Sequence, residues 1–237
     1  MYKFKLPKKK KAIWSAFKAI VKPFYRVDEI VNLAGEIPDK FIAVSNHSAK
    51  SGPVALDIHF PKLTAKWGAH EMLEGYGERF KYLRDVFYIK KQGKGRFGAT
   101  VKSAIEAVFS PFPYWGMNFL PTYPDARLKR TLDYSMQVLD ANMGVLVFPE
   151  DSNEGYKEEP TSFFGGFVML AELYFKKTGE DLPIIPTYYY KKERKIIIGE
   201  PQFVQKIKRA GIKTRDEIAE HFRKLVNGLF QKYVKKA

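Results

Sequence analysis

Short apolar runs alternate with longer stretches of helical periodicity along this chain. Residues 42–45, 63–67, 86–89, 145–148 and 184–190 read as short strands. Between them, residues 54–60, 70–83, 99–109, 126–139 and 164–176 read as helices. Strand–helix alternation of this kind predicts a mixed, mainly parallel sheet flanked by helices, in a single α/β domain. Residues 184–190 and 195–198 flank the polar stretch Lys191-Lys192-Glu193-Arg194, which predicts a hairpin at a sheet edge. A last helix opens at Thr214 with Glu217 three residues on, the spacing of a capping box. Its apolar face is Ile218, Phe222, Leu225, Val226, Leu229, Phe230 and Val234.

The N-terminus departs from this pattern. After the basic run Lys8–Lys11, Ile13, Phe17, Ile20, Val21 and Phe24 recur at helical spacing, with Trp14 beside them. Residues 1–28 are therefore expected to form a basic amphipathic segment ahead of an α/β domain at 29–237. Such a helix either lies in a membrane interface or packs on its own domain. Lys18 and Lys22 interrupt its apolar run, so no signal peptide is expected. The longest uncharged stretch, 107–124, holds four prolines, which excludes a spanning helix and makes any membrane contact peripheral. Its aromatics Phe109, Phe112, Tyr114, Trp115, Phe119 and Tyr123 could wall an apolar groove, face a bilayer or fill the core.

A formal charge of +15 favours an anionic partner, whether lipid headgroups, an acidic protein or nucleic acid. No nucleic-acid-binding motif appears, so nucleic acid is not expected. The chain has no cysteine, which removes disulfides and thiolate chemistry. No histidine pair has metal-ligand spacing, and no metal is expected.

Chemistry concentrates where two strands end. The run at 42–45 leads into Asn46-His47-Ser48, and the run at 145–148 into Pro149-Glu150-Asp151-Ser152. Polar groups at strand C-termini mark the ligand edge of an α/β sheet. His47 there is either a general base or a structural histidine bonded to a carbonyl. His59, His70 and His221 fall within helical stretches and read as structural or exposed. Gly165-Gly166 permits close backbone approach, either for a ligand or for tight helix packing.

Asn46-His47, Phe148-Pro149-Glu150, Gly165-Gly166-Phe167 and Pro183-Ile184-Ile185-Pro186, in that order over roughly residues 30 to 200, resemble the glycerolipid acyltransferase family, relatives of bacterial lysophosphatidate acyltransferase. A second family motif would fall near Phe119-Leu120-Pro121-Thr122. The chain looks like a divergent member: Gly52 stands where the family has the Asp that orients the histidine. Asp151 and Asn153 stand where it has Gly and Arg, and the basic residue usual near Thr122-Tyr123-Pro124 is missing.

The resemblance implies a peripheral membrane acyltransferase on the cytoplasmic face, moving a fatty acyl group from a thioester to a lysophospholipid or related lipid. The donor would be acyl-CoA or acyl-acyl carrier protein, with no bound cofactor. His47 would be the base, Glu150 would orient the acceptor, and Glu150, Asp151 or Asp57 would replace the missing carboxylate. Asn46, Ser48, Lys50, Gly52, Pro149, Ser152, Asn153, Arg127 and Gly165 would line the substrate site, with Lys50, Arg127 or Lys157 gripping an acceptor phosphate. Backbone N–H groups near Gly52 or Gly165-Gly166 would hold the oxyanion. The rival expectation is a catalytically weak or inactive lipid-binding protein on the same fold.

Overall fold

The computed structural model describes residues 4–7, 11–49, 51–152 and 155–235. Lys8, Lys9, Lys10, Lys50 and Asn153 lie outside the described residues.

Eight strands form one sheet. They are β1 (Glu29–Asn32), β2 (Ile42–Ser45), β3 (Thr64–Ala69), β4 (Phe119–Thr122), β5 (Gly144–Val147), β6 (Pro183–Tyr190), β7 (Lys195–Ile198) and β8 (Gln202–Phe203). The order is β1-β7-β6-β2-β5-β3-β4, with β8 beside β6. Five pairings are parallel and two, both made by β6, are antiparallel. The α/β architecture read from the sequence is therefore the observed one.

Central β2 and β5 are buried at every position, as parallel strands covered on both faces must be. Their side chains alternate between two cores. Ile42, Val44, Val145 and Val147 meet α6 (Leu128–Asp140), α7 (Gly166–Thr178), α8 (Val204–Arg209) and α9 (Arg215–Phe230) on one face. Ala43 and Leu146 meet Ala55 and Leu56 of α2 (Ser51–His59) on the other. The capping box of α9 is present: Thr214 accepts from the Glu217 N–H at 3.2 Å, and Glu217 accepts from the Thr214 N–H at 2.9 Å.

Two local expectations are corrected. Residues 86–89 are not a strand but part of a wide-turned π-type helix, Tyr82–Lys90, that continues α3 (Tyr76–Lys81). A four-residue apolar run carries no periodicity that separates the two cases. Here Leu83, Phe87 and Tyr88 form a cluster with α4 (Arg96–Phe109). The β6–β7 hairpin forms, but β1 covers it, so it lies one strand in from the edge. The proline-rich stretch splits into α5 (Pro111–Gly116), with a proline in its first turn, and edge strand β4, where Pro121 is tolerated. Pro186 sits inside β6, in the gap between the residues paired with β8 and those paired with β7.

The N-terminal helix α1 (Ala12–Val21) packs on the body through Trp14, which is buried against Met117 and Phe119. Trp14 Nε1 donates to Asp57 Oδ2 at 2.9 Å. A Cβ on Gly116 would overlap the indole ring, so the helix docks only because that residue is glycine. Of the two placements expected for this helix, Trp14 takes the second, packing on its own domain. Lys11 is likewise turned inward, onto the Trp115 carbonyl and the Asn118 side chain. No helix among the described residues is long and apolar enough to cross a membrane.

Candidate active site

The site follows from strand register. Val44 of β2 is paired with Val147 of β5, so three residues later His47 and Glu150 leave the sheet side by side. Asn46 completes the end of β2 by pairing its side chain with the backbone of Tyr189. Its Nδ2 donates to the Tyr189 carbonyl at 3.0 Å, and its Oδ1 accepts the Tyr189 N–H at 2.8 Å. That leaves Asn46 as the anchor that fixes the chain just before His47. Beyond it, Ser48 and Ala49 adopt left-handed backbone with φ of 45° and 52°, a costly conformation for residues with a Cβ. The chain thereby turns back into α2. The turn brings Gly52 so close to the His47 carbonyl that a Cβ there would overlap it.

Glu150 follows Pro149, where β5 stops. The loop is pinned by a bridge between Glu150 and Phe163 and by hydrogen bonds from Phe164 N–H to the Pro149 carbonyl at 2.8 Å and from Asp151 N–H to the Ser162 carbonyl at 3.2 Å. The Glu150 carboxylate accepts the backbone N–H of His47. Burial pushes its pKa up to about 7, against the opposing pull of that N–H and of Lys91.

The imidazole of His47 lies between Tyr156, stacked at 4.8 Å, and Phe148 at 4.9 Å. Burial lowers its pKa to about 4; the backbone of Ala49 and of His47 itself opposes that shift, and the Lys91 charge reinforces it. Its Nδ1 is buried and has no hydrogen-bond partner among the described residues. The neutral imidazole is therefore the form present near pH 7.

The expected replacement for the missing Asp is not found at the ring. Asp57 points elsewhere: its Oδ1 accepts from the fully buried Lys66 at 2.6 Å, and its Oδ2 from Trp14, with Lys18 at 3.4 Å. These cations and the indole hold its carboxyl below the usual range despite burial. Glu150 reaches the His47 backbone rather than the ring, and Asp151 makes no hydrogen bond to Nδ1 either.

A cavity of about 540 Å³ opens at this edge. His47, Pro149, Glu150, Asp151 and Ser152 line it, as does Gly166 at the start of α7 rather than Gly165. Gly165 instead lies against Arg215. Arg127 is not in the wall; its guanidinium pairs with Asp125 at 2.7 Å and lies 4.6 Å over the ring of Tyr123, which is. Ser48 faces a second cavity of about 630 Å³ with Asn46, Ser51, Gln92 and Lys157. Tyr156 lines both cavities.

Several lining residues escaped the sequence reading. Lys91 is the foremost. It follows the π-type helix, its N–H bonding the Val86 carbonyl at 3.0 Å, and its Nζ donates to Ser152 Oγ at 2.6 Å. Burial lowers its pKa, while Asp151 and Glu150 oppose that shift. His70, set aside as structural, also lines the cavity and lies 4.7 Å from the ring of Tyr123. Thr122 adds a buried hydroxyl with no partner. That Lys91 reaches the cavity of His47 depends on the helix misread as a strand.

No protein-family model and no curated protein matches the chain. Among solved structures, it is similar to the 1-acyl-sn-glycerophosphate acyltransferase PlsC from Thermotoga maritima. The TM-score is 0.53 at 16% identity, over 94% of this chain and 81% of that one. The two chains share a fold.

Proposed function

We propose that this protein is a peripheral membrane acyltransferase that moves a fatty acyl group from a thioester to a lipid hydroxyl, with His47 as general base. One observation carries the reading: a neutral, buried imidazole stands at the C-terminal end of β2, in a part-apolar cavity that also holds Glu150, Ser152 and Lys91. Nδ1 is sealed, so the acceptor proton has to go to Nε2. The oxygen freed of that proton attacks the thioester carbonyl, and the thiolate leaves. Glu150 keeps His47 in place through the backbone, and Lys91 beside Ser152 offers a cation to an anionic acceptor. The left-handed Ser48-Ala49 turn presents backbone to the second cavity, where a donor carrier, coenzyme A or acyl carrier protein, has room to reach the site. Kinship of fold with a lysophosphatidate acyltransferase supports the same class of reaction, as do the motifs in matching order.

The unpaired Nδ1 favours a second reading, a lipid-binding protein with little or no turnover. No carboxylate among the described residues bonds to Nδ1, and in triads of related logic losing the orienting carboxylate costs about 10⁴ in rate. Transfer of a labelled acyl group from acyl-CoA or acyl-acyl carrier protein to a panel of lysolipids separates the two. Turnover that His47→Ala abolishes establishes the enzyme, and saturable lysolipid binding with no transfer establishes the binding protein.

A further inference from the structure

Helix α4 is built the wrong way round for a helix facing water. Its inward positions Ala99, Ser103 and Ala107 are small and fully buried beneath Leu83, Phe87 and Tyr88. Its outward positions are large and apolar: Phe97 is 85% exposed, Ile105 59% and Phe109 70%, with Val101 and Val108 also exposed between them. At 100° per residue these five fall within a third of the helix circumference, so they make one stripe. A contiguous stripe of this size marks a surface that is covered in use.

The surface continues past the helix end. Ser110 leads directly into α5, where Trp115 is 48% exposed. Phe112 lies 6.0 Å from Trp115 and 5.1 Å from Phe17, carrying apolar surface on to α1. There Ile13, Ile20 and Phe24, which point away from the buried Trp14, are exposed.

We propose that the outward face of α4, extended by Trp115, docks on an anionic lipid bilayer. The occupant is chosen by charge. Residues 76–116 hold eight basic and three acidic side chains, and Arg96 and Lys102 are exposed at the stripe. A second copy would bring two such net-positive surfaces together, whereas anionic headgroups would neutralise them. Basic residues beside an apolar helical face are the composition of a helix lying in a membrane interface. Behind α4, the Tyr82–Lys90 helix contributes Tyr82, and Lys91 follows it, to the cavity that holds His47. Docking there would set the site beside the bilayer; that purpose rests on the acyltransferase reading, but the evidence for the surface does not.

Two measurements on the full chain test this. Co-sedimentation with vesicles of phosphatidylglycerol in phosphatidylcholine is compared for the wild type and for Ile105→Glu/Phe109→Glu, which changes only exposed positions. Binding should weaken by roughly tenfold or more in the variant with melting temperature unchanged. Quenching of tryptophan emission by brominated lipid, read on the wild type and on Trp115→Phe, needs no charged variant. Quenching that Trp115→Phe removes supports the proposal. Vesicle binding that the double variant leaves intact overturns it, as does an α4-dependent dimer that ignores vesicles. A chain that transfers no acyl group yet binds vesicles through α4 keeps this proposal and removes only the catalytic one.

Discussion

Glu150 holds His47 by its backbone N–H and not by its imidazole. The carboxylate therefore fixes where the histidine stands without supplying the acceptor its ring nitrogen lacks. Position and orientation are separate problems in this site, and only the first is solved by a side chain within hydrogen-bonding reach.

Replacing His47 by alanine should lower acyl transfer by about 10²–10⁴, the range for loss of a general base, while the melting temperature stays near that of the wild type. Single-turnover transfer beside a thermal melt checks this. Because the imidazole pKa is near 4, activity limited by that base should persist well below pH 6.5 and fall only as pH approaches 4.

Placing a carboxylate at position 52 with Gly52→Asp should not raise activity. Any Cβ at position 52 overlaps the His47 carbonyl, so the turn has to move, at a cost of about 1–3 kcal/mol. Gly52→Ala should show the same loss of stability and most of the same loss of turnover. A Gly52→Asp variant more active than wild type would show that the turn accommodates the side chain.

Glu150 gives a pH signature. Its folded pKa of about 7 lies above its ordinary value of 4.5, so its contribution to stability is complete below 4.5 and is lost as pH rises through 7. Glu150→Gln retains an acceptor oxygen for the His47 N–H and does not titrate. Between about pH 4 and about pH 8 its stability should improve relative to wild type by about 3 kcal/mol. Urea unfolding of both proteins at the two pH values measures it, and parallel pH profiles would refute the raised pKa.

Asp57→Ala should destabilise the fold by about 3 kcal/mol, because it strands the buried Lys66 and unties Trp14. The folded fraction should retain near-normal kcat. A large loss of kcat at full folding would return Asp57 to the list of residues serving the histidine.

Lys91→Met should lower kcat/KM for an anionic acceptor by roughly tenfold while changing a neutral acceptor little, since it removes a single cation from the cavity wall. An equal loss for both acceptors would make Lys91 a structural partner of Ser152 only.

The sheet was legible because its central strands are unbroken apolar runs, and His47 and Glu150 were legible because each follows such a run directly. The ring of His47 was not. A sequence shows that position 52 carries no carboxylate but not that Gly52 lies against the His47 carbonyl, a fact of backbone geometry. Lys91 and Tyr82 were invisible for a different reason: they reach the site from a segment far along the chain, at a π-type helix with no periodicity to betray it. The placement of Trp14 stayed open because an amphipathic helix looks the same from sequence whether its aromatic residue faces lipid or a glycine such as Gly116.

The floor of the cavity comes from strand ends, whereas Tyr82 and Lys91 come from the excursion between β3 and β4, residues 76–116, which keeps its own small core around Leu83, Phe87 and Ala99. Its length and composition can therefore drift while the sheet and its histidine stay put. A change confined to this segment would alter the cavity wall and the exposed α4 face together, and leave the strand ends that carry His47 and Glu150 as they are.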